Sequence, residues 1–112
     1  MKLPKLTRRL ALEERVRTSD GMGGHEGAWT QVGQLWAELV ARTGSEGSVG
    51  GRAASRQVWR ITVRGAPDGA PSRPRPEQRL REDNRVFNIL SVAEADPEGR
   101  FLVCRAEEGL AV

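Results

Sequence analysis

The chain has 112 residues, a formal charge of +3 at pH 7 and 38% hydrophobic content, enough for one domain with a modest core and too little for two ordinary ones. Thirteen Gly and six Pro, gathered mainly in two stretches, assign much of the length to loops. The single Cys excludes an intrachain disulfide, and the lack of any apolar run near the ~18 residues of a bilayer span excludes a helical membrane anchor.

From the N-terminus, residues 6–16 place Leu10, Leu12 and Val16 on a two-residue alternation and Leu6, Leu10 and Glu13 on a rough helical one, so periodicity leaves both states open. The opening MKLPKLTRRLALEERV lacks the apolar centre of a signal peptide, and the expectation is a soluble protein made in the cytoplasm. The SDGMGG cluster at 19–24 is turn chemistry, because Asp and Gly tolerate the positive φ of a reversal. Over 29–41, Val32, Leu35, Trp36, Leu39 and Val40 fit the i, i+3, i+4, i+7 spacing of an amphipathic helix. Gly33 opposes that reading, as does an alternation through Leu35, Ala37, Leu39 and Ala41.

The Gly- and Ser-rich segment at about 43–56 has almost nothing to bury and reads as a long mobile loop. After it, Trp59, Ile61 and Val63 alternate with Arg60, Thr62 and Arg64, the pattern of a strand whose polar face is doubly cationic. Four prolines in residues 65–76 forbid a ladder or a helix and predict a turn followed by an extended crossover. A polar bridge at 77–84 leads to two apolar runs, 86–96 and 100–109, joined by a PEG turn at 97–99, and this predicts a β-hairpin. Cys104 lies in the second run, where a buried and inert thiol is expected.

Chemistry is sparse. His25 is the only histidine and sits in a glycine-rich turn, and no nucleophile motif surrounds any Ser or Cys104. One His and one Cys far apart give no metal-ligand spacing, and GMGG at 21–24 lacks the remaining signature of a phosphate loop. No catalytic residue, cofactor or metal is therefore predicted. The carboxylate neighbours Glu13 and Glu14, Glu82 and Asp83, and Glu107 and Glu108 project to different faces and read as solvated charge. Residues 1–19 carry net +4 and residues 86–112 net −3, so the two ends complement one another between copies or serve as plain solvated charge. The arginines at 52, 56, 60, 64, 73, 75, 79 and 81 could meet phosphates without reading sequence.

One ordered set of residues goes further. Leu6-x-x-Arg9-Leu10-x-Leu12-Glu13, DGMGG at 20–24, Trp29, Leu35-Trp36-Ala37-Glu38, a loop carrying Glu46, the strand Val58–Arg64 and Arg85-Val86-Phe87-Asn88-Ile89 with its closing hairpin resemble the head-tail joining proteins of tailed bacteriophages and gene transfer agents. These are also described as head completion, stopper or connector proteins. The resemblance spans nearly the whole chain and implies a mainly β domain, a small barrel or sandwich of about six strands with long Gly/Pro-rich loops, so residues 29–41 are expected to be strand. It implies a non-enzymatic ring of six or twelve copies in the virion or gene transfer agent particle. That ring would lie between a portal-adaptor ring and tail terminator or tail proteins, with non-specific DNA in its channel. Trp29, Trp36, Trp59, Ile61, Val63, Phe87 and Ile89 are assigned to the core, and Arg52 and Arg56 to the channel or gate loop. The alternative is a monomeric nucleic-acid-binding β-barrel, and a weaker one is a helical adaptor.

Overall fold

The computed structural model describes residues 3–19, 25–42, 48–49, 52–53 and 57–109, and every regular element among them is a strand. These are β1 (Arg8–Ser19), β2 (His25–Arg42), β3 (Ser48–Val49), β4 (Arg52–Ala53), β5 (Val58–Arg64), β6 (Arg79–Glu82), β7 (Arg85–Glu94) and β8 (Phe101–Gly109). Six of them close an antiparallel barrel in the order β1-β2-β5-β8-β7-β6, while β3 and β4 pair as a separate two-stranded unit. The helical spacing of 29–41 is thereby overruled.

The period-2 rule explains what fills the barrel. Leu10 and Leu12 of β1, Ile61 and Val63 of β5, Leu80 of β6, Phe87 and Ile89 of β7, and Leu102, Cys104 and Ala106 of β8 point inward and are buried. On β2 the inward row is Leu35, Ala37 and Leu39. That parity turns Trp36 outward, where it is 55% exposed, so its assignment to the core is corrected: its strand neighbours take the inward positions. Trp29 is half-buried and lies outside the core cluster, because it belongs to a part of β2 beyond the barrel. Trp59 is half-buried against the core and meets Phe87 edge-to-face at 6.0 Å.

Two connections position the ends. The segment from Gly65 to Gln78 carries the chain from β5 to β6 with Pro74 buried, and Arg73 Nη1 donates to Ala66 O at 2.8 Å, tying its two halves together. The β7–β8 hairpin turns through Asp96-Pro97-Glu98-Gly99, with Gly99 at φ +67° and its N–H donating to Asp96 O at 3.0 Å. The polar bridge at 77–84 contains the closing strand β6, an element the hydrophobic pattern does not announce. Asp83, at φ 54°, makes the tight turn from β6 into β7.

Candidate functional site

The strand lengths are unequal, and that inequality leaves part of β1 and β2 outside the barrel. β1 meets β6 only at Ala11–Glu13, and β2 meets β5 only at Ala37–Arg42. The outer parts of β1 and β2 pair with each other, out to Ser19 with His25, so a two-stranded ribbon extends past the barrel with no third strand paired to either edge among the described residues. Free edges are backbone donors and acceptors awaiting a partner. Val16, exposed, stands on this ribbon, whereas Leu10 and Leu12 of the same alternation lie in the barrel.

The root of the ribbon is built firmly. The register shifts between Leu12 and Glu13, leaving Val32 as an extra residue on β2, and such a bulge bends and twists the ladder. On the same stretch Arg79 Nε donates to Glu13 Oε1 at 2.6 Å, with Arg79 only 3% and Glu13 8% exposed. The Arg79 guanidinium lies 4.1 Å from the centre of the Trp29 ring, and Arg15 approaches the same ring at 6.0 Å. Glu13 is therefore a buried ion-pair partner, not the solvated charge its position beside Glu14 suggests, because it lies in the β1–β6 seam opposite Arg79. Glu14 does meet water and pairs with Arg75.

A second polar cluster stands where β5, β7 and β8 run together. Arg85 Nε donates to Glu108 Oε2 at 2.8 Å, and the Trp59 indole N–H donates to Glu108 Oε1 at 3.0 Å. The Arg85 guanidinium also lies over the Trp59 and Phe87 rings, at 5.4 and 5.1 Å. These donors hold the Glu108 carboxyl below its ordinary value, the Arg85 hydrogen bond first, against the opposing effect of burial. Glu82 is lowered in the same way by its hydrogen bond from Arg8. Of the three carboxylate pairs, then, Glu13, Glu82 and Glu108 each serve as structural anchors for an arginine.

The arginines of the Pro-rich crossover and β6 are similarly engaged. Arg73 meets Asp68, Arg75 meets Glu14, Arg79 meets Glu13, and Arg81 reaches Glu13 at 3.8 Å, so none is a free phosphate contact within the chain. Arg52 stands on β4, while Arg56 lies outside the described residues, as do the GMGG turn and Glu46. His25 opens β2 opposite Ser19. Cys104 is buried in the barrel and its thiol is pushed up to about 12 by that burial, which leaves it without nucleophilic character. Among the described residues no three potential metal ligands come together.

What remains exposed is suited to contact. Trp36 walls two shallow grooves, one with Leu6, Leu35 and Ala66 and the other with Arg8, Leu10 and Arg81. Arg9 lies 6.0 Å from the Trp36 ring centre and donates to Gln34. An exposed Trp beside an Arg on the outer face of β2 is the composition of an interface centre.

The comparisons with known proteins agree with this architecture. A family model for the phage head completion protein matches residues 1–109. The chain belongs to that family. A chain from a structure of the virion of a native gene transfer agent particle is 48% identical to this chain, with a TM-score of 0.80, covering 98% of this chain and 100% of that one. The solution structure of protein SF1141 from Shigella flexneri 2a matches with a TM-score of 0.70 over 97% of both chains, and at 22% identity it shares the fold alone. No curated protein matches the chain.

Proposed function

We propose that this chain is a non-enzymatic subunit of the head-tail joint of a phage or gene transfer agent particle. In this reading its copies form a ring of six or twelve, below the portal-adaptor ring and above tail terminator or tail proteins. The ring joins the DNA-filled head to the tail and helps to retain or pass DNA. The observation that carries the reading is the 48% identity to a chain of a native gene transfer agent virion, end to end.

The physical features of the subunit support it. A monomer acting alone has no use for a long ribbon whose edges no other described strand pairs and for an exposed Trp36, whereas a ring subunit covers both with its neighbours. The segment at 43–56, carrying Arg52 and Arg56, leaves the barrel between β2 and β5 and is assigned here to the channel side.

Electron microscopy of purified particles tests the proposal directly. Barrel density is expected between the portal and the tail, and density elsewhere refutes the connector role. Trp36→Ala separates folding from assembly: an exposed side chain contributes within about 0.5 kcal/mol to monomer stability, while loss of an interface anchor costs about 2 kcal/mol or more in association. Sedimentation of the two proteins reads the difference.

A further inference from the structure

Most of the described arginines are paired, which makes one group of exceptions informative. Seven described arginines meet a carboxylate within 4 Å, and Arg9 and Arg15 lie against tryptophan rings. Among the described residues Arg42, Arg60, Arg64 and Arg105 meet neither, and all four are exposed on one face, the outer surface of the β2-β5-β8 sheet. Their orientation is forced, because Ile61, Val63, Leu102, Cys104 and Ala106 occupy the inward positions of the same strands.

Arg60 and Arg105 are direct cross-strand partners, so their Cβ atoms stand about 5 Å apart, and like charges so placed oppose pairing. Arg42 lies at the end of β2 where the 43–56 segment departs, one row from that pair, and Arg64 lies at the opposite end of β5. The described acids on this face are Glu38, which accepts the Lys5 N–H, and Glu107, which is half-buried and engaged. Thr62, Val103 and Phe101 run between the arginines and line a largely apolar groove of about 380 Å³, in which Arg60 stands with Glu38 while the other three arginines lie outside its lining.

We infer that this face, centred on the Arg60–Arg105 pair, binds the phosphate backbone of nucleic acid without regard to sequence. A guanidinium presents paired donors that match two phosphate oxygens, and a polyanion removes the repulsion between the two side chains. The inference deepens the proposed function, on which it rests for the identity of the polyanion, by placing the DNA contact on a rigid sheet and not only on the 43–56 segment.

The test is fluorescence anisotropy of a short labelled duplex of arbitrary sequence with the full chain, at salt concentrations from about 50 to about 200 mM, where each phosphate contact contributes ~0.9 to the logarithmic salt slope. The double variant Arg60→Ala/Arg105→Ala should lower that slope by about 1.8, so that wild-type affinity falls about twelvefold more than the variant's across this range. Unchanged far-UV circular dichroism and melting temperature accompany that result, and Arg60→Lys should restore most of the slope. Absence of binding by wild type at low salt overturns the inference, as does an unchanged slope in the double variant. A slope lost only in Arg52→Ala/Arg56→Ala moves the contact to the 43–56 segment and also overturns it. So does a double variant that keeps the slope but no longer forms rings, since the face then binds an acidic protein surface. In these outcomes the location of the chain in particles, read by microscopy, still decides the head-tail reading independently.

Discussion

The barrel closes along a short seam, and the most informative perturbation is there. β1 and β6 share three register pairs, Ala11 with Arg81, Leu12 with Leu80 and Glu13 with Arg79, the last being the buried ion pair. Replacing Arg79 by Met keeps most of the bulk against Trp29 but leaves Glu13 with only Arg81, at 3.8 Å, to balance its charge. Removing one partner of a buried pair costs about 3–5 kcal/mol, and the residual Arg81 contact places this case near 3. For a chain of this length 1 kcal/mol corresponds to about 4 °C, so the melting temperature should fall by about 12 °C. Urea unfolding followed by far-UV circular dichroism measures the loss, and hydrogen exchange should open β6 before the rest of the barrel. Glu13→Gln should cost a similar amount, and the double variant much less than the sum of the two, because each single change damages the same interaction. A loss below about 1 kcal/mol, the scale of a surface pair, or strict additivity in the cycle would refute the argument that this pair fastens the seam.

Three further outcomes follow from the geometry. Cys104, buried with its thiol pushed up to about 12, should resist a disulfide-exchange reagent in the native protein at pH 8 and react at once in denaturant; rapid native reaction contradicts its burial. Glu108 and Glu82 are held below their ordinary values by Arg85 and Arg8, so their contribution to stability is complete above the unfolded carboxylate pKa of about 4.3 and is lost as pH falls through the lower folded values. Glu108→Gln should therefore flatten the acid side of the stability profile below about pH 4 and lower the neutral plateau, and an unchanged profile would be evidence against the Arg85 anchor. At Gly65 a Cβ would collide with Gly99 O and lie 3.1 Å from Arg100 backbone atoms, where Gly65 N–H donates to Arg100 O at 2.7 Å. Gly65→Ala should cost about 1–3 kcal/mol in urea unfolding through backbone displacement, and a neutral result would show that this close approach relaxes freely.

How much of this is written locally in the sequence differs from strand to strand. β5 has clean alternation and the β7–β8 hairpin has two apolar runs about a Pro-Gly turn, and both stand where those signals place them. For β2 the two patterns competed: the extra residue Val32 at the bulge and the outward Trp36 and Val40 add apolar positions that imitate a helical stripe. The alternation through Leu35, Ala37 and Leu39 held the correct answer, including the exposure of Trp36. β6 left almost no trace, since a four-residue strand with charged outward positions shows only Leu80 as an apolar signal. The Glu13–Arg79 pair was invisible for a different reason. Sixty-six residues separate its members, and only closure of the barrel brings them together, so adjacency in sequence pointed Glu13 toward Glu14 and water.

These elements share one logic. A free two-stranded ribbon would move about its root if only the ladder held it, and a moving edge pairs with whatever it meets. Here the root coincides with the barrel seam, and the same few residues do both tasks: Glu13 and Arg79 join β1 to β6 while Trp29, from the ribbon, lies over the Arg79 guanidinium. Loosening the seam therefore loosens the ribbon, and a subunit weakened at Arg79 should lose assembly before it loses its fold. Trp36, placed on the outer face of β2 with Leu35 and Ala37 anchored inward, has no such coupling. Its substitution should reduce association at constant stability. The contrast between the two variants separates an interface that fails because its scaffold moves from one that fails because its contact is gone.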